Sequence, residues 1–129
     1  MWKKKIRITL NQEDIIPSAN ELFNIHNYIV LNKAQKLAEK YIRLISNRVK
    51  YRSEHGVLWE SFSRHSEKEG EEIFRFFSFC DSGYTSEIIK LCEQFVFAYF
   101  KELGYLIEWR DSSVCRNEKV IYISWDKSQ

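Results

Sequence analysis

The hydrophobic positions fall into two rhythms. Between residues 3 and 10 they alternate, with Ile6, Ile8 and Leu10 on one side and Lys5, Arg7 and Thr9 on the other. That is the period of a half-buried strand. Between residues 33 and 52 the period lengthens. Ala34, Leu37, Ala38, Tyr41, Ile42, Ile45 and Val49 recur at spacings of three and four, which makes one apolar helix face. Asn32 is the expected N-cap. Arg48, Lys50, Arg52 and then Gly56 suit the helix C-terminus. In the intervening stretch, Ile15-Ile16-Pro17 ends the strand region. Ser18 is placed to cap a short helical turn holding Glu21, Leu22 and Phe23.

Further along, Val57–Ser63 and Ile73–Phe79 are predicted as two strands around a polar turn, His65 to Glu71. Glu71 and Glu72 would also suit a helix N-terminus, so residues 73–77 admit a helical reading. The strand is preferred because the run is short, aromatic and bounded by Asp81-Ser82-Gly83. A second helix is expected over 85–103, capped by Thr85 or Ser86 and stopped at Gly104. The last segment reads as a hairpin: Tyr105–Trp109, a polar loop from Arg110 to Glu118, then Lys119–Trp125. The predicted order is β-α-β-β-α-β-β. The fold class is therefore α+β: a two-layer sandwich of two long helices packed on a largely antiparallel sheet of about five strands. One domain over residues 1–129 accounts for the whole chain.

Composition narrows the picture. Four Gly and one Pro argue against a turn-rich β-sandwich and against disorder. The aromatic share, 16%, is more than one small core readily hides, so some rings are expected at the surface. The longest uninterrupted apolar run is Phe95 to Phe100, far below the ~20 residues that span a bilayer. Met1-Trp2-Lys3-Lys4-Lys5 begins like a secretion signal, but alternation replaces the apolar stretch that should follow. Neither a membrane partner nor export is expected. Cys80, Cys92 and Cys115 are odd in number and contain no CxxC pair, which fits reduced thiols and a cytoplasmic setting.

The search for chemistry is mostly negative. His26, His55 and His65 lie far apart, and none pairs with another His or Cys at a ligand spacing. No metal site is expected. Glu67, Glu69, Glu71 and Glu72 interleave with Lys68 and lack the ligand ladder of a Ca²⁺ loop. No Gly-rich phosphate loop is present, so no nucleotide or other cofactor is implied. Cys80 lies near the start of the second helix and Cys115 lies between Val114 and Arg116. Either position could favour a thiolate, but neither has a His partner visible in the sequence. The expectation is free thiols, no catalytic residue and no enzymatic activity.

Two surfaces rise above this background. Opposite the apolar face of the first helix stand Lys33, Lys36, Lys40, Arg43 and Lys50, with Asn47 among them and Glu39 at the margin. Such a stripe matches a phosphate backbone, although exposed helix faces are commonly charged. On the second helix the apolar arc exceeds half the circumference. Either that helix is central, or it belongs to an interface. Phe97 projects into its polar sector beside Lys90, Gln94 and Lys101, with no obvious intramolecular partner, as an interface anchor would. Charge is also uneven. Residues 1–52 carry eleven Lys or Arg against four acids, and residues 53–129 carry nine against fourteen. Such a split makes either one basic face or two halves that neutralise each other.

Leu103-Gly104-Tyr105 at a helix end, a hairpin closing in Ile123-Ser124-Trp125, and the helix of 33–52 followed by Gly56 resemble small accessory proteins of phages and large DNA viruses. The resemblance is architectural and covers about half the chain. It implies a non-enzymatic viral protein in the host cytoplasm, acting by contact in the virion, on a host factor or against a host defence. The functional expectation is thus a binding protein working through a protein partner, with a second copy of itself among the options. The alternative is nucleic-acid binding by the basic helix face.

Overall fold

The structure, a computed structural model, describes residues 16–78 and 83–128. The alternating segment 3–10 and Cys80 lie outside the described residues. Helix α1 (Ala19–Glu54) is followed by strand β1 (Trp59–Phe62), helix α2 (Lys68–Phe77) and helix α3 (Ser86–Glu102). A hairpin of β2 (Leu106–Asp111) and β3 (Lys119–Ser124) closes the described chain. The sheet is antiparallel throughout, in the order β1-β3-β2. The α+β class therefore holds, with three helices and three strands among the described residues.

α1 is one helix of 36 residues rather than a turn and a separate helix. Its cap is Ser18, whose Oγ accepts the Glu21 backbone N–H at 3.2 Å, and the expected cap at Asn32 falls inside it. The apolar period of 33–52 holds: Ala34, Ala38, Tyr41, Ile45 and Val49 are all buried. At the other end the Gly56 N–H reaches Ser53 O at 3.0 Å and Val57 N–H reaches Arg52 O at 3.0 Å. Gly56 has φ +77, so this is a Schellman ending that satisfies the last carbonyls. α3 ends in the same way. Gly104 N–H donates to Lys101 O and Tyr105 N–H to Phe100 O, both at 3.0 Å, with φ +93 at Gly104.

The strand expected at Ile73–Phe79 is instead helix α2. Gly70, Ile73, Phe76 and Phe77 are its buried positions, a helical rather than an alternating set. Glu69 and Glu71 sit in its first turn and Arg75 in its last, as the helix dipole favours. Arg75 also pairs with Glu71 one turn back at 3.4 Å. The glycine permits a close approach. A Cβ at Gly70 would lie 2.8 Å from Ser66 Cβ and 3.3 Å from the Phe62 ring, so any side chain there would push α2 off β1.

All three helices pack on one face of the sheet. α3 lies against α1, α2 and β2, and α1 also lies against α2 and β1. The inward strand residues Phe62, Ile107, Ile121 and Ile123 join the helix residues in one buried cluster. Tyr41 stacks on Phe76 with ring centroids 4.3 Å apart and meets Phe77 edge-on at 5.2 Å. Trp109 ties β2 to α3 by donating Nε1–H to Glu93 Oε1 at 2.6 Å. No described helix is long and apolar enough to cross a membrane.

Candidate functional site

The second-helix alternatives resolve toward a central helix, since α3 touches α1, α2 and β2. Phe97 is accordingly half-buried and packed against the core. Its ring lies 6.5 Å from that of Phe77 on α2. The expectation that it lacks an intramolecular partner fails because the segment supplying that partner was read as a strand. Lys90, Gln94 and Lys101 remain exposed around it.

The basic residues Lys33, Lys36, Lys40, Arg43 and Lys50 are all exposed on α1. Lys40 pairs with Glu72 of α2 at 2.9 Å. Among the described residues no carboxylate lies within ion-pair distance of the other four. Elsewhere the two halves do neutralise each other. Arg48 reaches Glu60 at 3.0 Å and Glu67 at 3.7 Å, and Arg52 reaches Glu60 at 3.8 Å.

The N-terminal part of α1 carries a surface that composition only hinted at. Residues 16–29 are exposed on every side of the helix. Among them Leu22 is 43%, Phe23 64%, Ile25 48% and Ile29 44% exposed, and Tyr28 and Leu31 add to the patch. At 100° per residue, Leu22, Ile25 and Ile29 fall on one line. The basic residues continue that same line toward the C-terminus. The signal was in the sequence at 22, 25 and 29, but ending the helix that Ser18 caps after one short turn concealed it.

The outer sheet face was also missed. Trp59 and Tyr122 stack there with centroids 6.1 Å apart. The Arg110 guanidinium lies 3.7 Å from the Tyr122 ring centre and that of Arg52 lies 5.2 Å from Trp59. β1, β3 and β2 place Trp59, Tyr122 and Arg110 together by register, with Ser61 and Glu108 both opposite Tyr122, and Arg52 reaches Trp59 from α1.

The two loops at one end of the sheet meet. His65, in the turn after β1, brings Nε2 to 3.8 Å from the Sγ of Cys115 in the β2–β3 loop. Glu118 completes a trio whose ligand atoms lie within 4.8 Å of one another. The sequence shows no His at a ligand spacing from another His or Cys, and here the fold supplies the neighbour. The fold joins residues 50 positions apart, which no local spacing rule detects. Cys92, by contrast, is buried in the core. Burial, with the Glu93 charge behind it, pushes its thiol pKa up to about 12. It therefore stays a neutral, apolar filler.

These features define a class, an α+β domain whose described residues set three helices on one face of a three-stranded antiparallel sheet. Comparison with protein-family models, with curated proteins and with solved structures finds no match to the chain.

Proposed function

We propose that this chain is a non-enzymatic binding protein that acts by protein–protein contact, and that the apolar N-terminal half of α1 is its contact surface. The observation that carries the reading is the cluster of Leu22, Phe23, Ile25, Tyr28, Ile29 and Leu31, all exposed on one helix. Single exposed apolar residues are ordinary, whereas a contiguous patch marks an interaction surface. The spacing of Leu22, Ile25 and Ile29 gives the anchors of a helix that packs against another apolar surface.

A second copy of the chain is the occupant that charge favours. Two α1 helices overlapping antiparallel over their first halves send their basic second halves in opposite directions. A parallel pairing would instead set Lys33, Lys36, Lys40 and Arg43 against their own copies. Two-fold pairs of this kind are the commonest oligomers. The resemblance to viral accessory proteins adds a host factor as a further partner for the same surface.

Light scattering tests the reading. The wild-type protein is expected at twice the 15.6 kDa protomer mass. The double substitution Leu22→Glu, Ile29→Glu is expected to return it to the protomer mass with its helical circular dichroism intact. A wild-type protein that stays monomeric at high concentration removes the dimer.

The free cations of α1 support a second reading, nucleic-acid binding. Four of the five side chains in the stripe have no ion-pair partner among the described residues. Here retention of DNA or RNA must fall steeply with salt, since each phosphate contact adds roughly 0.7–0.9 to the logarithmic slope. Lys36→Glu with Lys40→Glu must weaken retention further. Absent or salt-insensitive retention removes this reading.

A further inference from the structure

We propose that His65, Cys115 and Glu118 form a binding site for a borderline-soft divalent cation, Zn²⁺ first among them, with water at the fourth position. The three side chains supply one nitrogen, one sulfur and one oxygen ligand from two separate loops, all within 4.8 Å of one another. Bond lengths of about 2.0–2.1 Å to nitrogen and 2.3 Å to sulfur, at tetrahedral angles, place those two ligands ~3.6 Å apart. The His65 Nε2 to Cys115 Sγ distance is 3.8 Å, so this pair needs almost no movement to share an ion. A thiolate with an imidazole selects zinc-like ions over Mg²⁺ or Ca²⁺.

Three further observations favour the site. First, each ligand is held by its own loop. The His65 backbone N–H donates to Ser63 Oγ at 3.1 Å, and the Cys115 N–H to Ser112 Oγ at 3.1 Å. The Ser112 N–H in turn donates to the Glu118 carbonyl at 2.8 Å. Second, His65 offers its Nε2 lone pair. Arg64 donates Nε–H to His65 Nε2 at 3.2 Å and sets Nη2 against Glu118 Oε1 at 2.6 Å. A donor pointing at Nε2 requires a lone pair there, so the imidazole presents the tautomer that ligates a metal. Third, the trio is open. His65 is exposed and the other two are half-buried, beside a groove of about 200 Å³ lined by Ser61, Ser63, Ser112 and Val120. Water can therefore reach a fourth coordination position.

Arg64 makes the proposal specific. Its guanidinium competes with the metal for Glu118 and His65, so removing it must tighten metal binding.

Cobalt(II) is the probe, because tetrahedral coordination and a thiolate ligand each leave an absorption signature. One equivalent of Co²⁺ is expected to give visible ligand-field bands and a near-ultraviolet thiolate charge-transfer band, both displaced by Zn²⁺. Cys115→Ser is expected to abolish the charge-transfer band, and His65→Ala to weaken binding roughly tenfold or more. Arg64→Ala is expected to strengthen binding. All of these side chains lie in surface loops, and unchanged circular dichroism verifies each fold. No saturable Co²⁺ spectrum, or a charge-transfer band that survives in Cys115→Ser, overturns the site.

Discussion

Glu60 is the residue whose placement most needs explaining. It is a carboxylate on the inward side of β1, only 7% exposed, where an unpaired charge is costly. Arg48 answers it with Nε and Nη2 at 3.3 and 3.0 Å from one oxygen. The other oxygen accepts the Ser61 N–H at 3.0 Å, and Arg52 stands 3.8 Å away. The pair fastens the C-terminal half of α1 to the edge strand. Arg48→Met leaves Glu60 buried without its main partner, and breaking a buried pair on one side costs about 3 kcal/mol. Arg48→Met with Glu60→Met removes both charges and is expected to recover most of that loss. Urea denaturation of the two variants decides the matter. A double variant no more stable than the single one would mean that the pair itself, and not the orphaned carboxylate, supplies the stability.

At the scale of the element, legibility followed the length and regularity of each pattern. The apolar period of 33–52, the stop at Gly56, the helix ending before Gly104 and the terminal hairpin were all readable in sequence, because capping and periodicity are local. Two elements were misread, and for different reasons. Residues 19–29 are helical without being buried, so they carry only a short apolar line, Leu22, Ile25 and Ile29. That line, the Ser18 cap and the continuity with the long helix reveal them. α2 is 10 residues long, and its last five residues include Ile73, Phe74, Phe76 and Phe77, which satisfies a strand template as well as a helix one. The discriminating signal was Gly70, Ile73 and Phe77 at spacings of three and four, together with the Glu71–Arg75 pair. That misreading propagated. Without α2 as a helix, Phe77 could not be placed beside Phe97, and Phe97 looked like a free anchor. The basic stripe was legible because it lies on one long helix. The outer sheet face and the His65–Cys115–Glu118 trio were not, because strand register and loop closure create them.

At the scale of the molecule, two ionisable groups among the described residues sit inside the core cluster, Tyr41 and Cys92. Burial is the main cause that raises both, with Glu72 adding to Tyr41 and Glu93 to Cys92. The Cys92 thiol moves from 9.0 to about 12, and the Tyr41 hydroxyl rises from its ordinary 10.0. In the folded chain each therefore keeps a proton that the unfolded chain releases as pH climbs. Above about pH 9 the unfolded state binds fewer protons, so the stabilisation present below that pH is lost progressively toward pH 12. The Tyr41→Phe change keeps the ring stacked on Phe76, and Cys92→Ala removes a small side chain, so the fold tolerates both at some cost near neutrality. In urea titrations at a series of pH values, the wild-type midpoint is expected to fall from about pH 9 upward. The double variant should start lower but decline less. Parallel decline in the two proteins would show that neither Tyr41 nor Cys92 is the source of the alkaline loss.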